Sequence, residues 1–329
     1  MFNITDVFNR SLQNEIATPL AAVIALTDLV QHSDVGTMFE LLKALKDAEQ
    51  LLKRSSPTPI STAAGCELFI AFVTLLPHDA ANFADLKREL VSHGQKYAAE
   101  ALTYRQKIAE LSLGFITDGS VILTHSYSRV VIQALLLAHK SNKRISVFVT
   151  EARPRGLGIK TAETLSAAGV PCSVILDSAV AYVMDKVDFV LVGSEAVVES
   201  GGLVNAVGSN QIAIIARAAN KPFYALAESY KFHRLFPLSQ YDLPSHSSKI
   251  LSFPSPSRST RSGSVSRPSD DSTDPSSNPA PFKITQEQIS ENNPDVDYTR
   301  PDLISLVFSD VGSLTPEGVS QYLVGMFAG

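Results

Sequence analysis

From Ser120 onward, short β-branched runs alternate with helical segments, and this order restricts the fold more than any other feature of the chain. Ser120–Thr124 reads as a strand and Arg129–Lys140 as a helix. Ile145–Val149, Cys172–Leu176, Asp188–Val192 and Pro222–Leu226 read as further strands, with Lys160–Ala168 a helix among them. The strands are apolar along their length rather than alternating, as when both sheet faces are covered. The pattern therefore predicts a parallel sheet layered with helices. Ligands of such sheets bind beyond the carboxyl ends of the strands, which directs attention to residues 124–128, 150–158, 193–202 and 227–232. Leu303–Phe308 is a late strand, and Thr315 caps a last helix with Pro316 at its first position.

Before Gly114 the chain reads differently. Leu41, Leu42, Leu45, Ala48 and Leu52 recur at steps of three and four and share one helix face, as do Ile16, Leu20, Val23 and Ile24. Ala63–Leu76 is a very apolar helix and Asp79–Leu113 a longer amphipathic stretch. The expected fold class is α/β: a helical bundle over residues 1–112, then a domain with a mostly parallel sheet over 113–329. Residues 245–281 are dominated by Ser and Pro and too poor in apolar side chains to offset the entropy of ordering, so a disordered insertion is expected there.

Several function classes fall away. The net charge is -5, with 28 Lys and Arg against 33 Asp and Glu, which argues against direct nucleic-acid binding. The two cysteines, Cys66 and Cys172, lack metal spacing, no His pair has it, and neither a metal nor a cofactor is expected. No apolar run approaches the roughly 20 residues that span a bilayer, and residues 1–10 show no secretory pattern, so the cytosol is the expected compartment. Gly156 and Gly158 precede a helix, but Thr161 stands where a dinucleotide loop needs its third glycine.

His125 and Ser126 are neighbours on an extended segment and point to opposite faces. His125 is therefore a poor base for Ser126 and reads as structural. Glu195, just past a buried strand, is either a site carboxylate or a loop cap. Gly201, Gly202 and Asn205 near the same edge fit close backbone approach or an ordinary tight turn.

The runs THSYSRVV (Thr124–Val131), DSAVAYVM (Asp177–Met184), VGSEAVVE (Val192–Glu199) and NKPFY (Asn220–Tyr224) together resemble the alpha-subunit family of eukaryotic translation initiation factor 2B. So do ESYKF (Glu228–Phe232), RLFPL (Arg234–Leu238), DYT (Asp297–Thr299) and LTP (Leu314–Pro316). The resemblance implies a helical bundle followed by a Rossmann-like domain. It implies a non-catalytic regulatory subunit of the guanine nucleotide exchange factor for initiation factor 2. In that family the exchange activity lies on another subunit. The implied partners are a second copy in a bridging homodimer, the other subunits of the complex, and initiation factor 2 phosphorylated on its alpha subunit. Lys87, Arg88 and Lys96, on charged helical faces, are the candidates for meeting that factor.

The related sugar-phosphate aldose-ketose isomerases supply the alternative reading. They carry Cys where this chain has Ser126, and Asp where it has Glu195. A cysteine, with an ordinary pKa near ~8.5, is tunable to proton transfer at neutral pH, whereas a serine without a base is not. The longer Glu195 displaces its carboxylate by about an ångström, enough to cost roughly 100-fold in rate. Three cationic positions of the isomerases are also lost, at Ala206, at Ser56 and in Ala17–Ala21. The resemblance leaves Thr124, Ser126, Arg129, Arg153, Glu195, Asn205 and Glu228 as residues of a vestigial pocket, with a sugar phosphate or nucleotide as its possible ligand.

Overall fold

The computed structural model describes residues 2–75, 82–247, 250–253 and 285–327. Of the Ser/Pro-rich segment, residues 248–249 and 254–281 lie outside them. The described residues before Gly114 form six helices: α1 (Ile4–Gln13), α2 (Thr18–His32), α3 (Met38–Ser55), α4 (Pro59–Leu75), α5 (Phe83–Ala101) and α6 (Tyr104–Leu113). The periodicity of α3 has the expected consequence, since Leu41, Leu45, Ala48 and Leu52 are its buried residues. They join Phe8, Leu26, Val30, Phe69 and Leu90 in one core, where each fully buried large side chain contributes about 1.5–3 kcal/mol. A capping box starts α3: the Glu40 amide donates to the Thr37 hydroxyl (3.3 Å), and the Thr37 amide to the Glu40 carboxylate (3.2 Å).

Past Gly114 the order is β1 (Val121–His125), α7 (Arg129–Lys140), β2 (Ser146–Thr150), α8 (Gly158–Ala167), β3 (Cys172–Ile175), α9 (Val180–Val183), β4 (Phe189–Val192), β5 (Ala196–Val198), β6 (Leu203–Ala206), α10 (Ser209–Ala218), β7 (Phe223–Leu226), β8 (Phe232–His233), α11 (Gln286–Asn292), β9 (Val296–Thr299), β10 (Leu306–Ser309), β11 (Gly312–Leu314) and α12 (Pro316–Phe327). A seven-stranded sheet runs β11-β10-β7-β4-β1-β2-β3, all parallel except β11 against β10. Apolar layers cover it on both sides, one around Val190, Ile212 and Val307, the other around Ile122, Leu135 and Leu165. Thr315 caps α12 as expected, accepting from the Gly318 amide at 3.2 Å.

Two features depart from the sequence reading. A second, four-stranded sheet, β8-β5-β6-β9, is present, and its strand β5 lies inside 193–202, which reads as a loop. The Glu199–Gly202 stretch is the tight turn of its β5–β6 hairpin, with Gly201 at φ +80°. The second departure is α6. Its Ile108 and Ala109 pack into the sheet's core beside Ile122 and Val130, so the last helix of the helical half is bound to the sheet.

Helices α2 and α4 cross where Gly65 faces the Pro19 backbone, and a Cβ at Gly65 would fall against the Pro19 carbonyl. Because that atom is backbone, neither helix can yield by a rotamer change. Gly65→Ala is expected to cost about 1–3 kcal/mol through overpacking, read as a lower denaturant midpoint with an unchanged slope.

Candidate functional site

A cleft of about 360 Å³ opens where the carboxyl ends of β1, β4 and β7 meet the helical half. Tyr127, Ser128 and Arg129 follow β1, Ser194 and Glu195 follow β4, and Glu228 and Lys231 follow β7. Lys160 reaches in from α8 and Asn205 from β6, while Glu15–Pro19, Thr58 and Ser61 form the opposite wall. The turns after β1 and β4 are nearly in contact, because a Cβ at Gly193 would fall against the Ser128 side chain. Glycine is what lets these strand ends close the floor.

Glu228 is 1% exposed. Burial alone would raise its pKa, but Lys231 and Arg105 reverse the effect and bring it to about 2. Arg105, on α6, donates through Nε to Oε1 at 3.0 Å, and the Tyr230 hydroxyl donates to the same oxygen at 3.0 Å. The Lys231 ammonium lies 2.8 Å from Oε2, which has no aligned hydrogen-bond donor. Glu228 is thus a counter-ion paired with two cations rather than a free acid or base.

Glu195 is fixed as well. The Ser61 hydroxyl lies 2.8 Å from its carboxylate and 2.6 Å from its backbone carbonyl, which ties α4 to the end of β4. The Asn205 amide donates to the Ser209 hydroxyl at 3.0 Å. The Ser194 hydroxyl differs from these: Ser194 is 8% exposed, lines the cleft, and its Oγ has no hydrogen-bond partner among the described residues.

His125 is structural, as its sequence context implies. Its Nε2 donates to the Val207 carbonyl (2.9 Å) and its Nδ1 accepts from the Thr150 hydroxyl (2.6 Å). Burial lowers its pKa from 6.5, so the ring is neutral at pH 7. Both nitrogens are occupied, and neither serves Ser126.

Of the seven pocket candidates, Arg129, Glu195, Asn205 and Glu228 line the cleft. Thr124 and Ser126 are buried behind it, and Ser126 sits at φ +60° with its carbonyl accepting from Thr161 at 2.7 Å. Arg153 is an exception to the expectation: it is exposed and donates to the Gln286 side chain at 2.7 Å, away from the cleft. Lys87 is not a free surface charge either, since it donates to the Ser33 carbonyl at the end of α2. Arg88 is exposed and pairs with Asp85. Lys96 lines an apolar groove of about 570 Å³ between α4 and α5, beside Phe72, Leu75 and Tyr97.

Sequence reasoning missed Lys160, Lys231 and Arg105. Lys231 was readable, being three residues from Glu228 in ESYKF. Lys160 reads as the opening of a helix, and its Nζ lies 4.3 Å from the centre of the Tyr127 ring. Arg105 is 123 residues from Glu228, and no local spacing reveals that pair. Of the positions where the isomerases carry cations, Ala17, Thr18 and Pro19 line the cleft, whereas Ser56 and Ala206 are not among its lining residues.

The fold is shared with a solved eIF-2B chain from Pyrococcus horikoshii OT3, with a TM-score of 0.64 at 20% identity over 95% of this chain and 97% of that one. Residues 12–316 match the Initiation factor 2 subunit family, and the chain belongs to that family. It is 40% identical over 318 residues to the translation initiation factor eIF2B subunit alpha of Dictyostelium discoideum, covering 96% of this chain and 93% of that protein. It is 27% identical over 308 residues to the ribose 1,5-bisphosphate isomerase of Archaeoglobus fulgidus, covering 94% of this chain and 88% of that one. A chain of the tetrameric eIF2B-beta2-delta2 complex from C. thermophilum superposes with a TM-score of 0.70 at 19% identity, covering 98% of this chain and 94% of its own length.

Replacing Glu228 by Gln leaves Arg105 and Lys231 without their buried counter-ion and is expected to destabilise the fold by about 3 kcal/mol near neutral pH. The folded pKa lies below the ordinary 4.5, so the stabilisation is present above 4.5 and lost as pH falls toward about 2. Denaturation of wild type and Glu228→Gln across that window should show the gap closing. A gap independent of pH would count against the ion-pair account.

Proposed function

We propose that this chain is a non-catalytic, cytosolic regulatory subunit of the guanine nucleotide exchange factor for translation initiation factor 2. In this reading it bridges the complex as a homodimer and helps sense initiation factor 2 phosphorylated on its alpha subunit. The carrying observation is the 40% identity to an alpha subunit over 96% of the chain. The working organisation is a helical unit of residues 1–112 on a Rossmann-like unit of 113–329. The second unit is the one proposed to dimerise. Supporting that choice, β3 is a sheet edge, and Val174 and Leu176 are exposed there with Tyr182 on the neighbouring α9 at 86%.

The chemistry of the cleft argues against the isomerase alternative. His125 is engaged elsewhere and serves no neighbouring Ser126, Glu195 is held by Ser61, and Glu228 is paired with two cations, so these groups are not arranged for proton transfer. A retained ligand pocket is a compatible second role, favoured by the unpartnered Ser194 hydroxyl. With Arg129, Lys160, Lys231 and the amino end of the 12-residue helix α7, it forms a surface suited to the phosphate of a sugar phosphate or nucleotide.

The tagged protein, purified gently from its own cells, is expected to bring down related exchange-factor subunits in one large assembly. A bare homodimer active on a sugar phosphate would replace this reading with the isomerase. For sensing, Lys96→Glu is expected to weaken inhibition by the phosphorylated factor severalfold, because a single exposed charge contributes about 1 kcal/mol or less. Undiminished inhibition would remove Lys96 from the contact surface.

A further inference from the structure

Arg129 is half-buried, and burial, then the neighbouring Arg105, lowers its pKa from 12.5. Among the described residues its guanidinium forms no ion pair. Glu228, the acid whose charge acts on it, is already shared by Arg105 and Lys231. What holds Arg129 is the backbone carbonyl of Glu15, in the turn between α1 and α2. Glu15 lies at φ +58°, a left-handed conformation that costs a residue with a Cβ about 1 kcal/mol or more. A strained turn thus supplies the partner of a cation that has no acid.

We infer that this contact is autoinhibitory: the α1–α2 turn engages Arg129, and an anion entering the cleft displaces the Glu15 carbonyl and loosens α1. This rests on the reading of the cleft as a phosphate-binding pocket. A phosphate oxygen is a better partner for a guanidinium than a carbonyl, because it is ionised and accepts a fork of donors. In the inference the anion takes the remaining donors of the guanidinium and draws the side chain off the carbonyl. Once it turns to the anion, the turn loses the charge-assisted bond that offsets its strain. The amides of Asn14, Glu15 and Ile16 report the change directly, since they close the end of α1 through bonds to Arg10, Leu12 and Ser11 at 3.1, 3.0 and 3.1 Å. The cleft and the outer helical surface are then linked with opposite sign: filling one relaxes the other.

The test is amide hydrogen exchange on the full chain with and without saturating inorganic phosphate or ribose 5-phosphate, with binding followed by calorimetry. The expected result is protection at residues 127–130 together with exchange at Asn14–Ile16 faster by about tenfold, the size of one lost charge-assisted hydrogen bond. Arg129→Lys, which keeps the charge but not the fork, should exchange faster at Asn14–Ile16 without any anion, and an anion should change it little further. Binding with unchanged or slower exchange at Asn14–Ile16 would overturn the autoinhibitory contact while sparing the pocket. Absence of binding by both anions would reject the pocket reading and this inference with it.

Discussion

The carboxylate of Glu228, buried between Arg105 and Lys231, is the interaction on which the arrangement of the molecule turns. Its three partners come from different places: α6 of the helical half, and Tyr230 and Lys231 in the segment after β7. The rings of Tyr104, on α6, and Tyr230 stack across the same junction with centroids 6.2 Å apart. Desolvating such a group is unfavourable unless every charge around it is matched, so the helical half and the sheet are held in one relative placement. That placement makes the cleft, whose walls come from both halves. Using Glu228 up in this way also leaves Arg129 without an acid, so the structural ion pair and the carbonyl-held cation have one cause.

Local information was legible in the sequence and non-local information was not. Helix α7 runs over Arg129–Lys140 as its periodicity implies, and the strands of the large sheet begin and end within a few residues of their apolar runs. The strand-end rule found the cleft because topology alone places it there. The small sheet escaped because β5 is three residues long and β8 two, lengths at which side-chain alternation carries no signal. Arg153 was misplaced for a similar reason. It follows a strand, as the rule asks, but the rule says nothing of where a long side chain points, and this one turns outward to Gln286.

The chain is similar both to named initiation-factor subunits and to a ribose 1,5-bisphosphate isomerase, and the proposed reading gives one cleft a different use in each. In that reading the walls, strand ends and several donors suited to a phosphate remain in the cleft. The groups that would move protons are each tied down or exchanged: His125 by two hydrogen bonds, Glu195 by Ser61, and the cysteine position by Ser126. Recognition of an anion needs only fixed charges and dipoles, whereas turnover needs a group of matched acidity within reach of the substrate. On the proposed reading, losing the second leaves the first intact.

The edge of the large sheet carries a consequence for supply. Strand β3 pairs with β2 on one side, and among the described residues no strand covers the other, where Val174 and Leu176 stand in the open. Such an edge is harmless while a neighbour covers it and adhesive when nothing does. A cell that makes more of this polypeptide than it can assemble accumulates chains with a sticky flank. Synthesis matched to that of its neighbours, or prompt removal of the surplus, is the condition under which this architecture stays soluble.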